Sequence, residues 1–170
     1  MTLASKVNLK VSAALSSALD LVSPAARLSQ SYSSEFDDGT AAGQADKVFS
    51  DTRTLGASAT ESLDLAGSLT DALGASLTFA KVKAIIISAA AANTNNVIVG
   101  GDVTNTFFGI FADETDALVI RPGATFALFC GEADAAGYAV TAATADLIKI
   151  TNSGAGTGVT YSIIIIGTSA

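Results

Sequence analysis

Val159-Thr160-Tyr161-Ser162-Ile163-Ile164-Ile165-Ile166 begins as an alternation of apolar and polar residues and ends as four isoleucines in a row. Side chains along a strand change sides at every residue, so the first half has one apolar face and the second half has two. A strand apolar on both faces lies either at the centre of a layered core or against a neighbouring subunit. Lys81-Val82-Lys83-Ala84-Ile85-Ile86-Ile87 has the same character. Asp146 to Thr151 places Ile148 and Ile150 on one side and Lys149 and Thr151 on the other. Thr125 to Cys130 groups Phe126, Leu128 and Cys130. These β-branched and aromatic runs suit a pleated surface.

Turn signals separate the runs at short intervals. Asn93-Thr94-Asn95-Asn96 precedes Val97-Ile98-Val99, and Gly100-Gly101-Asp102 follows it. Pro122-Gly123 matches the two central positions of a type II turn: Pro presets φ, and Gly accepts a positive φ. Asn152 to Gly158 reads as a glycine-rich hairpin loop between the last two strands. Many short strands with regular turns predict an all-β protein, an antiparallel β-sandwich, with a jelly roll as one form of it.

The first half is less regular. Ser5 to Val11 alternates, whereas Val11, Leu15, Leu19 and Val22 also fit one helical face, diluted by Ser16 and Ser17. Pro24 ends whatever precedes it. Arg27 to Phe36, Lys47 to Leu55 and Ala59 to Leu65 predict strands. Ser68-Leu69-Thr70-Asp71 resembles a capping box, with Gly74 suited to a helix end, and predicts one or two helical turns. The expected organisation is an N-terminal arm or extra strand over residues 1–26 and a β-sandwich over residues 27–170.

Composition narrows the function. The 170 residues carry 16 acids and 9 Lys or Arg, a net charge of −7, with no basic stripe for phosphates. Direct nucleic-acid binding is therefore not expected. Only 15% of residues are charged, against about 25% in an ordinary soluble domain. Ala, Gly, Ser and Thr supply 84 positions. With no His and one Cys, a His-dependent triad, a zinc site or a disulfide framework is not available within one chain. The Met1 to Ala26 stretch makes a poor signal sequence because Ser16, Ser17 and Asp20 interrupt its apolar run. No apolar stretch approaches the roughly 18 residues of a spanning helix. The expectation is a protein made in the cytosol, with no membrane partner.

Most candidate chemistry has a structural reading. Gly154-x-Gly156-x-Gly158 is followed by a strand, whereas a phosphate loop needs a helix there. Asp37-Asp38-Gly39 and Asp113-Glu114-x-Asp116 lack a calcium-loop spacing; they are solvated loops, or calcium ligands shared between subunits. Glu132 and Asp134 have no adjacent nucleophile or cofactor residue, so no catalytic site and no cofactor are expected. Cys130 closes an apolar strand and reads as an inert small hydrophobe. Phe107, Phe108 and Phe111 form the densest aromatic cluster. Adjacent rings cannot both face one core, so one of Phe107 and Phe108 points outward, toward an interface.

Several stretches resemble small β-rich virion proteins of tailed bacteriophages. They include Gln44 to Leu55, Ser58 to Gly67, Asn93 to Gly101, Arg121-Pro122-Gly123, Gly137 to Thr141 and Thr151 to Gly167. The resemblance covers about residues 36–170 and leaves the first 35 outside. It implies a capsid decoration or cement protein on the head, with the major capsid protein as partner, and it brings no catalytic motif with it. A tail, baseplate or fibre component is the alternative, and a carbohydrate-binding β-sandwich for host attachment is a third. A homotrimer is expected, its core drawing on Ile163 and Ile165 and its surface on Phe107, Phe108 and Phe111. The arm would reach a neighbour or an acidic capsid surface through Lys6 and Lys10.

Overall fold

The computed structural model describes residues 2–101 and 104–170. Met1 of the expected arm and Asp102 of the expected turn lie outside the described residues. Among the described residues thirteen strands follow in chain order: β1 (Ser5–Ser16), β2 (Ala25–Phe36), β3 (Lys47–Leu55), β4 (Thr60–Asp64), β5 (Leu69–Thr70), β6 (Ser76–Leu77), β7 (Lys81–Ala89), β8 (Val97–Gly100), β9 (Ala117–Ile120), β10 (Thr125–Phe129), β11 (Tyr138–Ala139), β12 (Leu147–Asn152) and β13 (Val159–Thr168). Every strand pairing is antiparallel. The protein is all-β.

Two sheets make a sandwich-like body. One has the order β10-β7-β13-β3, with β11 also on β7; the other has the order β4-β12-β8-β9. Their inner faces share one core. Phe49, Ile85, Ile87, Tyr161, Ile163 and Ile165 come from the first sheet, and Leu63, Val97, Val99, Ile148 and Ile150 from the second. Strand pleating sorts these residues: in β12, Ile148 and Ile150 are buried while Lys149 between them is not. A polar link also crosses the core. The Tyr161 hydroxyl on β13 donates to Glu61 Oε1 on β4 at 2.7 Å, and Arg53 Nη1 on β3 donates to Glu61 Oε2 at 2.5 Å. Burial and then the Glu61 carboxylate push the Tyr161 phenol upward, so it stays a neutral donor.

Three local expectations need correction. Ser68 to Asp71 is not helical: β5 pairs with β6, and Asp71 Oδ1 accepts from the amides of Leu73 and Ala75, both at 2.9 Å. The Asp side chain thus closes a hairpin turn, while Leu69 and Leu77 enter the core. Residues 153–158 do not form a hairpin, because β12 and β13 belong to different sheets. The loop instead crosses the end of the sandwich. Asn152 Nδ2 holds it from inside, donating to the carbonyls of Gly56 and Thr157 at 2.8 Å each. Residues 11–16 are extended in β1 rather than helical. The expected type II turn does form: Gly123 has φ 76°, and the Ala124 amide donates to the Arg121 carbonyl at 2.9 Å.

Register breaks once between the central strands, where Ile166 opposes Ala84 but Gly167 opposes Val82. Lys83 is the extra residue of this bulge, and it is fully buried. Gly167 is needed there because a Cβ would stand 2.1 Å from the Lys81 carbonyl oxygen. Gly167→Ala is therefore expected to destabilise the fold by about 1–3 kcal/mol or more. Gly56→Ala, where a Cβ meets nothing within 4 Å, should stay within about 0.5 kcal/mol. Equal urea midpoints for the two variants would remove the argument.

Candidate interaction surface

The N-terminal strands stand apart from the sandwich. Among the described residues β1 and β2 pair only with each other, over twelve residues each, from Ser5↔Phe36 to Ser16↔Ala25. At about 3.4 Å per residue the ribbon is about 40 Å long. Opposed residues of an antiparallel pair share a face. One face carries Val7, Leu9, Val11, Ala13 and Leu15 beside Ser34, Tyr32, Gln30, Leu28 and Ala26. The other carries Lys6, Asn8, Lys10 and Ser12 beside Glu35, Ser33, Ser31 and Ser29, with Arg27 further out. The ribbon is amphipathic along its whole length.

Its base is fixed to the body. Phe36 is buried with Ala84 and Ile166 on the outer face of the larger sheet, and Leu3, Val7, Val48, Ile86 and Phe129 pack around them. Ser34 Oγ donates to the Cys130 carbonyl at 2.7 Å, and the Glu35 amide donates to Glu132 Oε1 at 3.2 Å. Lys6 pairs with Glu35, whose hydrogen bond and charge hold the ammonium above the ordinary lysine range. Beyond the base the body gives no cover among the described residues. Leu9 is 46% exposed, Leu28 50%, and Leu15 78%, and Leu19, Leu21 and Val22 at the tip are exposed as well. A large exposed apolar surface marks a place where something else binds.

The other candidate residues separate. Phe107 is buried in the core and Phe108 is 44% exposed, one ring in and one out. Phe111 is half-buried against the core. Ile163 and Ile165 are completely covered within one chain, so they offer nothing to a second copy. Because β13 is flanked by β7 and β3, its inner face already has the opposite sheet as partner. Of the two outward residues of that run, Ile166 is covered and Ile164 is exposed. Lys6 and Lys10 share the ribbon's polar face, although Lys6 is already paired.

The acidic residues serve the loops that contain them. Asp113 Oδ1 accepts from the amide and hydroxyl of Thr115, and these bonds hold its carboxyl below the usual range. Asp134 Oδ1 accepts from the amides of Ala136 at 2.8 Å and Gly137 at 3.1 Å, with the same effect. The buried Lys83 ammonium donates to the Asp134 carbonyl at 2.5 Å. Cys130 lies beside this loop, and burial, followed by its contact with Asp134, pushes its thiol up to about 11. That thiol is protonated at neutral pH and a poor nucleophile. Among the described residues no group of three His, Cys, Asp or Glu is placed to hold a metal ion.

The ribbon is the candidate feature least legible in the sequence. Its signal was present, since Val7, Leu9, Val11, Ala13 and Leu15 occupy every second position. Spacing of four residues, as in Val11, Leu15 and Leu19, satisfies both a strand and a helix, which blurred it. No protein-family model, no curated protein and no solved structure matches the chain.

Two outcomes follow from this geometry. Replacing residues 12–29 by Asn-Gly, a favoured two-residue hairpin turn, is expected to leave the body folded. Hydrogen exchange should find the amides of β7 and β13 still protected; loss of that protection would make the distal ribbon part of the core. Asp134 supplies the second. Its folded carboxyl titrates below the ordinary value, so its stabilisation is present above the unfolded pKa of about 3.9 and lost as pH falls through the folded one. Asp134→Ala should flatten the acid-side fall in stability, read as urea midpoints between about pH 6 and about pH 3.

Proposed function

We propose that this chain is a structural protein of a bacteriophage particle, a capsid decoration or cement protein that binds the outer surface of the head. The observation that carries the reading is the strand order. Counting only the eight strands of the two four-membered paths (β3, β4, β7, β8, β9, β10, β12, β13) as 1 to 8, the sheets run 1-8-3-6 and 2-7-4-5. That order is the one a jelly roll produces when a folded-over pair of long strands winds into two facing sheets, an architecture used by viral coat and lectin domains. The resemblance of residues 36–170 to phage virion proteins favours the particle over the lectin.

Other features suit the role. The body uses its acids on its own loops and keeps its one thiol protonated, which fits a binding part with no catalytic step or cofactor. The amphipathic ribbon supplies a reach of several nanometres from a compact body toward a second copy or toward the major capsid protein. A net charge of −7 is better placed outside a shell than beside packaged DNA. The proposed assembly is a homotrimer joined through the ribbon rather than through the body.

Electron microscopy of the particle tests the proposal. Density for the body in hundreds of copies, following the symmetry of the shell, is the expected result. Roughly six to eighteen copies confined to the tail would move the protein to the tail, baseplate or fibre. Specific binding on a glycan array, with no density on the particle, would replace the reading by host-sugar recognition.

A further inference from the structure

We propose that the ribbons of three copies close side by side into a six-stranded intermolecular β-barrel, with their apolar faces inward. The occupant of the exposed face is thus the same face of two further copies. This deepens the trimer reading above, but it concerns the isolated chain and stands or falls without the particle.

The backbone makes the first argument. The Ser17 amide donates to the Pro24 carbonyl and the Leu19 amide to the Val22 carbonyl, continuing the register of β1 and β2. In an antiparallel pair the bonded positions recur every second residue. Odd-numbered residues of β1 therefore bond within the ribbon, and even-numbered ones direct their amides and carbonyls outward. The outward positions of β2 are its odd-numbered residues, and the Glu35 amide, which reaches across to Glu132, is one of them. Beyond the base, both edges of the ribbon are unpaired strand edges. Long unpaired edges are templates for another strand, and closing a barrel abolishes them.

Side chains make the second argument. The outward-bonding residues of β1 are also its polar-face residues, so an edge-to-edge neighbour can dock without disturbing the apolar face. In a ring of ribbons pointing the same way, β1 of one copy meets β2 of the next, and that pairing is antiparallel like the one within each copy. The same turn of the ring brings Leu9, Val11, Leu15 and Leu28 to the axis and leaves Lys10 and Arg27 in water. Ala13 and Ala26 alternate with these larger residues, as the narrow interior of a small barrel requires. Two ribbons packed face to face would hide the apolar face but leave all four edges open. Three copies give a head-to-tail interface that closes. Continuity with the body supports the same direction of burial: at the base, Phe36 and Ser34 on this face are already covered.

The test is the mass of the full chain by sedimentation and native mass spectrometry. The expected species is three times the 16.9 kDa chain. Two double variants separate the two arguments. Leu9→Asp with Leu28→Asp puts charge on the apolar face; Ser12→Pro with Ser29→Pro removes one outward amide from each edge and keeps the bonds within the ribbon. Each is expected to give a monomer whose far-UV circular dichroism retains the β signal of the body, while Ser31→Asp on the polar face keeps the trimer. Hydrogen exchange on the unaltered protein guards against variants that misfold: the Ser12 and Ser29 amides should be protected. A monomeric or dimeric full chain, a trimer that survives both double variants, or unprotected Ser12 and Ser29 amides would each overturn the proposal. Assembly only on phosphatidylcholine–phosphatidylglycerol vesicles, with release of trapped dye, would overturn it too, because it would place the apolar face outward in lipid.

Discussion

β13 is hydrogen-bonded on both sides and, from Ile163 to Ile166, apolar on both faces, and the rest of the molecule is arranged around that condition. Its inner residues, Val159, Tyr161, Ile163 and Ile165, require a second sheet to cover them, and β4, β12, β8 and β9 provide it. Its outer end requires cover as well. Ile166 joins Ala84 of β7 in a patch on the other side of the sheet, and Phe36 fills it. One strand therefore organises two apolar contacts, the core of the body and the seat of the ribbon. Burial of large side chains at several such positions is the dominant stabilising term in a domain of this size.

Polar groups follow the same geometry. Tyr161 places a hydroxyl among aliphatic residues, and Glu61 on the opposite sheet accepts its hydrogen bond while Arg53 balances the charge. A buried donor without such a partner is costly, and Glu61 supplies one from the facing sheet. On the outer face of the larger sheet, Thr52 meets Ser162, Thr54 meets Thr160, and Ser88 meets Thr125, each within about 3.0 Å. Hydroxyl pairs across strands suit a surface that is exposed to water yet poor in charge. The bulge at Gly167 shifts Lys83 into the interior, where the Asp134 carbonyl meets its ammonium. The acidic loop around Asp134 and the strand edge near Cys130 are consequently part of one local structure, which also receives Ser34 and Glu35 from the ribbon.

Strands with one-face alternation were legible from residues alone. Lys47 to Leu55 coincides with β3, and Ile148 and Ile150 enter the core as their spacing requires. The turn at Pro122-Gly123 was legible because its backbone angles are set by those two residues. Ser68 to Asp71 misled because an Asp that bonds nearby amides serves a helix start and a hairpin turn equally well. Ile163 and Ile165 misled differently: their apolar character was plain, but whether the same chain or a neighbour covers them depends on which strands lie opposite. The ribbon was half legible, since its alternation was visible and its partner was not.

Strand period, the places where the chain turns, the scarcity of charge and the absence of histidine are written in the residues themselves. These are local properties, and local sterics and side-chain chemistry suffice to express them. Sheet order, the crossing of residues 153–158 between sheets, the bulge that buries Lys83 and the pairing of β1 with β2 away from both sheets appear only in the folded chain. Each of these rests on contacts between residues far apart in the chain. Pairing of β3 with β13 joins Lys47 to Gly167, and a period-2 pattern carries no record of which distant strand shares its hydrogen bonds.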